Sequence, residues 1–232
     1  MRSARLCMIA AILWLCRDVA LAAPFQNGSF EPGPSQSISW SNTTEGWVGL
    51  TNIPANQIIN GWTIDAPISW HSDVNAFGNT AELYFAPDGG HWFVDLKGNP
   101  DDPLGMVHQN FDTLPGATYE ISFFLAAPGF QFADPRTVDV WVDLSEIHSF
   151  STPAGQFGDM EWESFSFRFT AMAPITTLAF RAGSTSTGGG QYWGPVIDGV
   201  RVAVVPEPTS FGLASLATLG LVNALRRRGI TF

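Results

Sequence analysis

The chain has 232 residues, 45% of them hydrophobic and only 14% charged, with 21 acidic against 11 basic side chains and a formal charge of −10 at neutral pH. Between residues 23 and 205 the imbalance deepens to five basic against nineteen acidic residues, a balance of −14, which excludes the basic surface that nucleic-acid phosphates require. Cys7 and Cys16 are the only cysteines and both lie near the N-terminus, so disulfides are not expected in the rest of the chain.

Arg2 and Arg5 make a positive n-region, residues 6–16 an apolar stretch too short to span a bilayer, and Ala20-Leu21-Ala22 a small-x-small cleavage pattern. Residues 1–22 are therefore expected to act as a signal peptide, removed by signal peptidase on export together with both cysteines. The mature protein must then rely on packing, supplemented by a metal, in an oxidising compartment.

Residues 23–204 form one expected domain, long enough for a substantial core. Its apolar pattern has a period of two. Tyr119, Ile121, Phe123 and Leu125 alternate with Glu120, Ser122, Phe124 and Ala126; Val138, Val140, Val142 and Leu144 alternate with Asp139, Trp141 and Asp143; Phe165, Phe167 and Phe169 alternate with Ser164, Ser166 and Arg168. Such segments are half-buried strands. Turn signals such as Pro115-Gly116, Pro128-Gly129 and Gly188-Gly189-Gly190 separate them, and no internal segment has a helical period. An all-β antiparallel sandwich of the jelly-roll kind follows, with two inner faces packed on each other.

In chain order the domain reads Asn27-Gly28-Ser29-Phe30-Glu31, Ile59-Asn60-Gly61-Trp62-Thr63-Ile64, Phe93-Val94-Asp95-Leu96-Lys97-Gly98, a segment from Gly105 through Leu114-Pro115-Gly116 to Tyr119, and Gly194-Pro195-Val196-Ile197-Asp198-Gly199-Val200. This succession resembles the choice-of-anchor C and DUF642-like domains of the galactose-binding-like jelly-roll group. The resemblance implies a carbohydrate-binding type of fold and a structural calcium shared by an acid near the first strand and one in the last, here Glu31 and Asp198. Calcium accepts several hard oxygen ligands, backbone carbonyls among them; the alternative makes Glu31 a turn acid and Asp198 a loop cap. Residues 40–60, rich in Asn, Thr and Gly, form a longer insertion than the family pattern leads one to expect, and they read as a loop.

Eight tryptophans remain once Trp14 is removed with the signal peptide. Trp62, Trp92 and Trp193 read as packing residues, while Trp40 and Trp47 in the insertion serve either recognition or loop tacking. Trp141 differs, because alternation sets it with Asp139 and Asp143 on the face opposite the valines. An indole flanked by carboxylate acceptors can stack a sugar ring and hold its hydroxyls, so Trp141, Asp139 and Asp143 are the candidate ligand residues for extracellular polysaccharide. The competing reading is a second covered face of the sandwich.

Catalysis finds little support. His71, His91, His108 and His148 show no zinc spacing and read as surface or turn residues, no serine sits in G-x-S-x-G, and pairs such as Asp101-Asp102 or Glu161 with Glu163 are what any acidic domain supplies. The expectation is a non-enzyme: a polysaccharide-binding surface or matrix protein, or else a structural envelope or biofilm component with no defined ligand. A carbohydrate-active hydrolase ranks last.

Residues 205–232 close the chain with Val205-Pro206-Glu207-Pro208-Thr209, an apolar run over 210–225 and Arg226-Arg227-Arg228. The prolines delay any helix to Thr209, the run sits at the short end of what crosses a bilayer, and the arginines stop it on the cytoplasmic side. The order resembles the PEP-CTERM sorting signal of Gram-negative bacteria. That resemblance implies transient inner-membrane insertion, recognition by an exosortase and cleavage near Pro206, Glu207 and Pro208, with display at the cell surface or in the extracellular matrix. A permanent single-pass anchor is the plainer alternative.

Overall fold

The computed structural model describes residues 23–33, 50–72, 87–97, 102–127, 135–153, 160–183 and 194–206. The expected signal peptide (1–22), the apolar run over 210–225, Glu207, Pro208, Arg226, Arg227, Arg228, Trp40, Trp47, Trp193, Asp101 and the glycines at 188–190 lie outside the described residues. Among the described residues no helix is long and apolar enough to cross a membrane.

Twelve strands run in chain order: β1 Leu50–Ile53, β2 Ile58–Ile59, β3 Trp62–Ala66, β4 Ile68–Ser72, β5 Trp92–Asp95, β6 Met106–Asp112, β7 Thr118–Ala126, β8 Arg136–Val142, β9 Glu146–Thr152, β10 Glu163–Thr170, β11 Ile175–Ala182 and β12 Val196–Val204. They form two six-stranded antiparallel sheets, ordered β1-β4-β5-β12-β7-β10 and β2-β3-β6-β11-β8-β9. The expected all-β antiparallel sandwich is the observed one. One sequence expectation needs correction. The second half of the 40–60 insertion is not loop, because Leu50–Ile53 pairs along β4 and Ile58–Ile59 pairs with β3, each adding an edge strand.

Alternation decides which side chains enter the core. From the first sheet come Trp70, Val94, Ile121, Phe123, Leu125 and Ile197, and from the second Trp62, Ile64, Val107, Val138, Val140, Leu178 and Phe180, in one continuous apolar cluster. Trp62 is its anchor. It meets Phe25, Phe30 and Phe180 at ring separations of 5.8, 5.0 and 6.0 Å, and its indole N–H donates to Asn27 O at 2.8 Å, which satisfies the one polar atom it buries. Trp92 joins the same cluster, as expected from sequence.

The N-terminal segment seals the sandwich. Ala23 O accepts from Asp112 N at 3.1 Å, and Gly28 O from Val200 N at 2.8 Å. A Cβ at Gly28 would stand 1.7 Å from Val200 O, so only glycine permits that approach. On one flank the edge strands β9 and β10 close the gap between the sheets with aromatic contacts: Phe150 to Phe165 at 5.4 Å and His148 stacked on Phe167 at 4.1 Å.

Candidate functional site

The solvent side of the second sheet carries the residues that sequence singled out. Along β8 the side chains of Val138, Val140 and Val142 are buried while Asp139 and Trp141 are half-buried on the opposite face, as alternation requires. Register then sets their neighbours. Trp141 stands opposite Ala179 on β11 and Ile147 on β9, and Ala179 in turn stands opposite His108 on β6. One row therefore runs His108, Ala179, Trp141, Ile147. With strands about 4.8 Å apart, His108 and Trp141 flank Ala179 at a spacing of roughly 10 Å, about the scale of a sugar ring. Ala179 is fully buried although it faces outward, so larger side chains roof it. The indole nitrogen of Trp141 is itself buried, with no hydrogen-bond partner among the described residues.

Polar groups border this row on both sides. Asp139 Oδ1 accepts from Ser149 Oγ at 2.5 Å, and by register Asp139 faces Arg181. Asp65 Oδ2 lies 2.6 Å from His108 Nδ1, which fixes that ring and leaves its other nitrogen for a further contact. Thr177 Oγ1 donates to Asn110 Oδ1 at 2.7 Å. The face thus offers one aromatic surface with carboxylate, hydroxyl, amide and imidazole groups around it. That is the donor and acceptor mixture a polyhydroxylated ligand needs.

Asp143 is placed differently from the sequence expectation. The strand ends at Val142, and Asp143 and Leu144 turn the chain with φ of 50° and 57°. Leu144 accordingly leaves the valine stripe and is exposed. Asp143 Oδ1 accepts from Thr177 N at 2.8 Å, so this carboxylate helps hold the turn at the end of the face, beyond the strand, and offers a ligand its other oxygen.

Glu31 and Asp198 sit at a different place, beside β5 and β12. Glu31 Oε1 accepts from His91 N at 2.6 Å and Trp92 N at 3.1 Å; Asp198 is fully buried, and its Oδ1 accepts from Gly199 N at 2.7 Å. Two glycines bring acids together here. A Cβ at Gly90 would stand 2.5 Å from Glu31 Oε1 and 2.9 Å from Asp88 Oδ1, and one at Gly199 would stand 3.3 Å from Asp88 Cβ. No three His, Cys, Asp or Glu side chains among the described residues gather as a metal-holding group, so an ion here would need backbone carbonyls to complete its shell.

Sequence reasoning missed a buried polar layer on the outer face of the first sheet. His71 and Asp95 are buried there, near Asp198, and the apolar residues Phe93, Ala126, Val196 and Met160 form a second cluster against which Trp162 packs. His71 stacks on Phe93 at 5.2 Å, and burial lowers its pKa to about 3. Burial also pushes Asp95 well above the usual carboxylate range, against the pull of the Gly194 amide, Arg136 and Lys97. Asp95 Oδ1 accepts that amide at 2.8 Å, and a Cβ at Gly194 would stand 2.8 Å from the same oxygen. The one clue in sequence was the unbroken apolar run Trp92-Phe93-Val94 of β5, the pattern of a strand covered on both faces; β4, Ile68-Ser69-Trp70-His71-Ser72, alternates and reads as half-buried although all five residues are buried. Of the remaining histidines, His91 is exposed, and His148 Nε2 lies 2.7 Å from Glu146 Oε1.

Among solved structures the chain is similar to one described as "CBM4 structure and function", at 17% identity, covering 78% of this chain and 99% of that one, with a TM-score of 0.35. It is also similar to a family 35 carbohydrate binding module from an environmental isolate, at 15% identity over 54% and 83% of the two chains, TM-score 0.38. A third is the exo-beta-1,3-galactanase from Phanerochaete chrysosporium, at 18% identity over 49% of this chain, TM-score 0.34; the chain spans only 23% of that enzyme's length. No curated protein matches the chain. Residues 23–203 match the family described as "Protein of unknown function (DUF642)".

Proposed function

The chain belongs to the DUF642 family, and on that premise we propose that it is an exported surface or extracellular-matrix protein of a Gram-negative bacterium that binds polysaccharide on the outer face of its second sheet. The observation that carries this reading is Trp141, half-buried beside the fully buried Ala179 and bordered by the Asp139–Ser149 and Asp65–His108 hydrogen bonds. A pyranose stacked there would lay its apolar face on the indole and its hydroxyls on the surrounding acceptors, Asp139 and the second oxygen of Asp143 among them. The acidic balance between residues 23 and 205 favours a neutral glycan over a polyanionic one.

Display follows from the two ends of the sequence. Signal peptidase removes residues 1–22, the apolar run over 210–225 enters the inner membrane, and an exosortase cuts near Pro206, Glu207 and Pro208. A calcium shared by Glu31 and Asp198 belongs to the same proposal, supported by the way Gly90 and Gly199 let the Glu31, Asp88 and Asp198 segments approach.

One observation favours a second reading. The Trp141 indole nitrogen is buried, as it would be if this ring merely covered the sheet of a structural envelope component. A glycan array probed with the mature protein decides between them: binding to at least one neutral polysaccharide, weakened by Trp141→Ala, supports the first, and silence across the array supports the second.

A further inference from the structure

Seven large apolar side chains among the described residues are exposed, and five of them, Leu114, Leu144, Met172, Ile175 and Val204, lie at one end of the sandwich. The hydrogen bonds tie that end together. Thr113 Oγ1 and N donate to Ala173 O and Pro174 O at 2.8 and 3.0 Å, which joins the turn carrying Leu114 to the turn carrying Met172. Gly116 N donates to Ala171 O at 2.7 Å, and Asp143 N to Thr177 O at 2.9 Å, which brings the Leu144 turn to the start of β11 beside Ile175. Val205 N donates to Thr118 O at 2.8 Å, so β12 delivers Val204 to the same end.

Apolar side chains exposed singly are ordinary, whereas five gathered at one end of a domain point to a surface that meets something other than water. The side chains are not marginally exposed, since Leu114 retains 68% and Met172 83% of its accessible surface.

Both ends of the described domain also leave from here. Ala23, which follows the expected signal peptide, is bonded to Asp112 at the end of β6, and Pro206 follows directly on Val205. From Val205 to Ser210, where the apolar run begins, there are five peptide units, at most about 18 Å when fully extended. Once that run is in a bilayer, the tether holds this end of the domain against the surface.

We propose that the Leu114, Leu144, Met172, Ile175 and Val204 end of the sandwich docks on the lipid bilayer beside the point where the C-terminal apolar run enters it. The inference rests on the membrane-delivery reading of residues 205–232 given above, and applies to the chain before any cut. The contact is apolar. Asp143 and Glu146 are exposed at the same end and disfavour an anionic surface, so uncharged lipid suffices. Docking keeps Pro206, where the expected cleavage motif begins, close to the membrane surface, where a membrane-embedded peptidase works.

The test uses residues 23–232, the chain left when the expected signal peptide is removed, which holds no cysteine, so that one introduced cysteine carries a nitroxide label, reconstituted in phosphatidylcholine vesicles. Labels go at Met172→Cys, independently at Leu114→Cys, and as a reference at exposed Ser151→Cys, about 17 Å along β9 from its start at this end. Collisions with lipid-soluble oxygen and with a water-soluble nickel chelate are compared. At 172 and 114 the oxygen-to-nickel ratio should exceed that at 151 by several-fold, and adding phosphatidylglycerol should not raise it. Flotation of the chain with vesicles but equal ratios at all three sites overturns docking and leaves the anchor standing. A raised ratio only with phosphatidylglycerol overturns the apolar contact. A chain that does not float with vesicles removes the anchor and the docking together.

Discussion

Asp143 and Thr177 exchange two hydrogen bonds across the end of the second sheet: Asp143 N donates to Thr177 O at 2.9 Å, and Thr177 N donates to Asp143 Oδ1 at 2.8 Å. The pair locks the reversal between β8 and β9, which is left-handed at Asp143 and Leu144. Asp143→Ala removes the acceptor and puts alanine at a positive φ, so it should lower stability by about 1 to 2 kcal/mol. Asp143→Asn keeps both the acceptor and the tolerance for that conformation and should stay near wild type in urea melts. Equal losses in the two variants would mean that charge, not geometry, holds the turn.

Trp141 and Trp62 should separate binding from folding. Trp62 lies wholly inside the core, and Trp62→Ala should cost roughly 3 to 5 kcal/mol of unfolding free energy. Trp141→Ala removes a half-buried ring from the solvent side. It should reduce retention on an immobilised polysaccharide several-fold, in keeping with about 1 kcal/mol for an aromatic stack, while the circular dichroism spectrum remains that of a β protein. Unfolding by Trp141→Ala would assign the ring to packing.

His71 makes stability depend on pH. Its folded pKa is lowered to about 3 from 6.5 by burial, so its contribution is complete above pH 6.5 and is lost as the pH falls toward 3, because the unfolded chain takes up the proton first. The slope reaches about 1.4 kcal/mol per pH unit. Asp95 runs the other way: its raised pKa gives a contribution complete below the unfolded value of 3.8 and lost as the pH rises through the folded one. His71→Asn deletes only the first effect. Between pH 6 and pH 4 the variant should gain stability steadily relative to wild type, read from urea melts, and parallel curves would show that His71 is not held neutral in the fold.

Calcium at the Glu31 and Asp198 end would stabilise the folded state by mass action, by about 2.7 kcal/mol at a hundredfold excess over its dissociation constant. Chelation should therefore lower the thermal midpoint of the mature protein, and Asp198→Ala should abolish the difference between calcium and chelator. An unchanged midpoint on chelation would leave Glu31 as a clip for the His91 and Trp92 amides alone.

The strand pattern and the core were legible in the residues themselves. A period of two is a local property, so Val138, Val140 and Val142 on one side and Asp139 and Trp141 on the other could be read without a partner strand. Alternation also placed Trp92 inside, and the Asn60-Gly61 turn preceded a Trp62 that is core. What the sequence could not reveal is whatever distant segments decide. The strand limit at Val142 depends on the pairing of Asp143 with Thr177, thirty-four positions apart, and it moved Asp143 and Leu144 off the faces that simple alternation assigned them. The burial of His71 and Asp95 on an outward face depends on a second covering layer that includes Met160 and Trp162. The gathering of Leu114, Leu144, Met172, Ile175 and Val204 depends on sheet order, which brings four separate parts of the chain to one end. Local chemistry sets which side of a strand a residue faces; only the packing of remote segments decides whether that side meets water, and so which groups are free to bind.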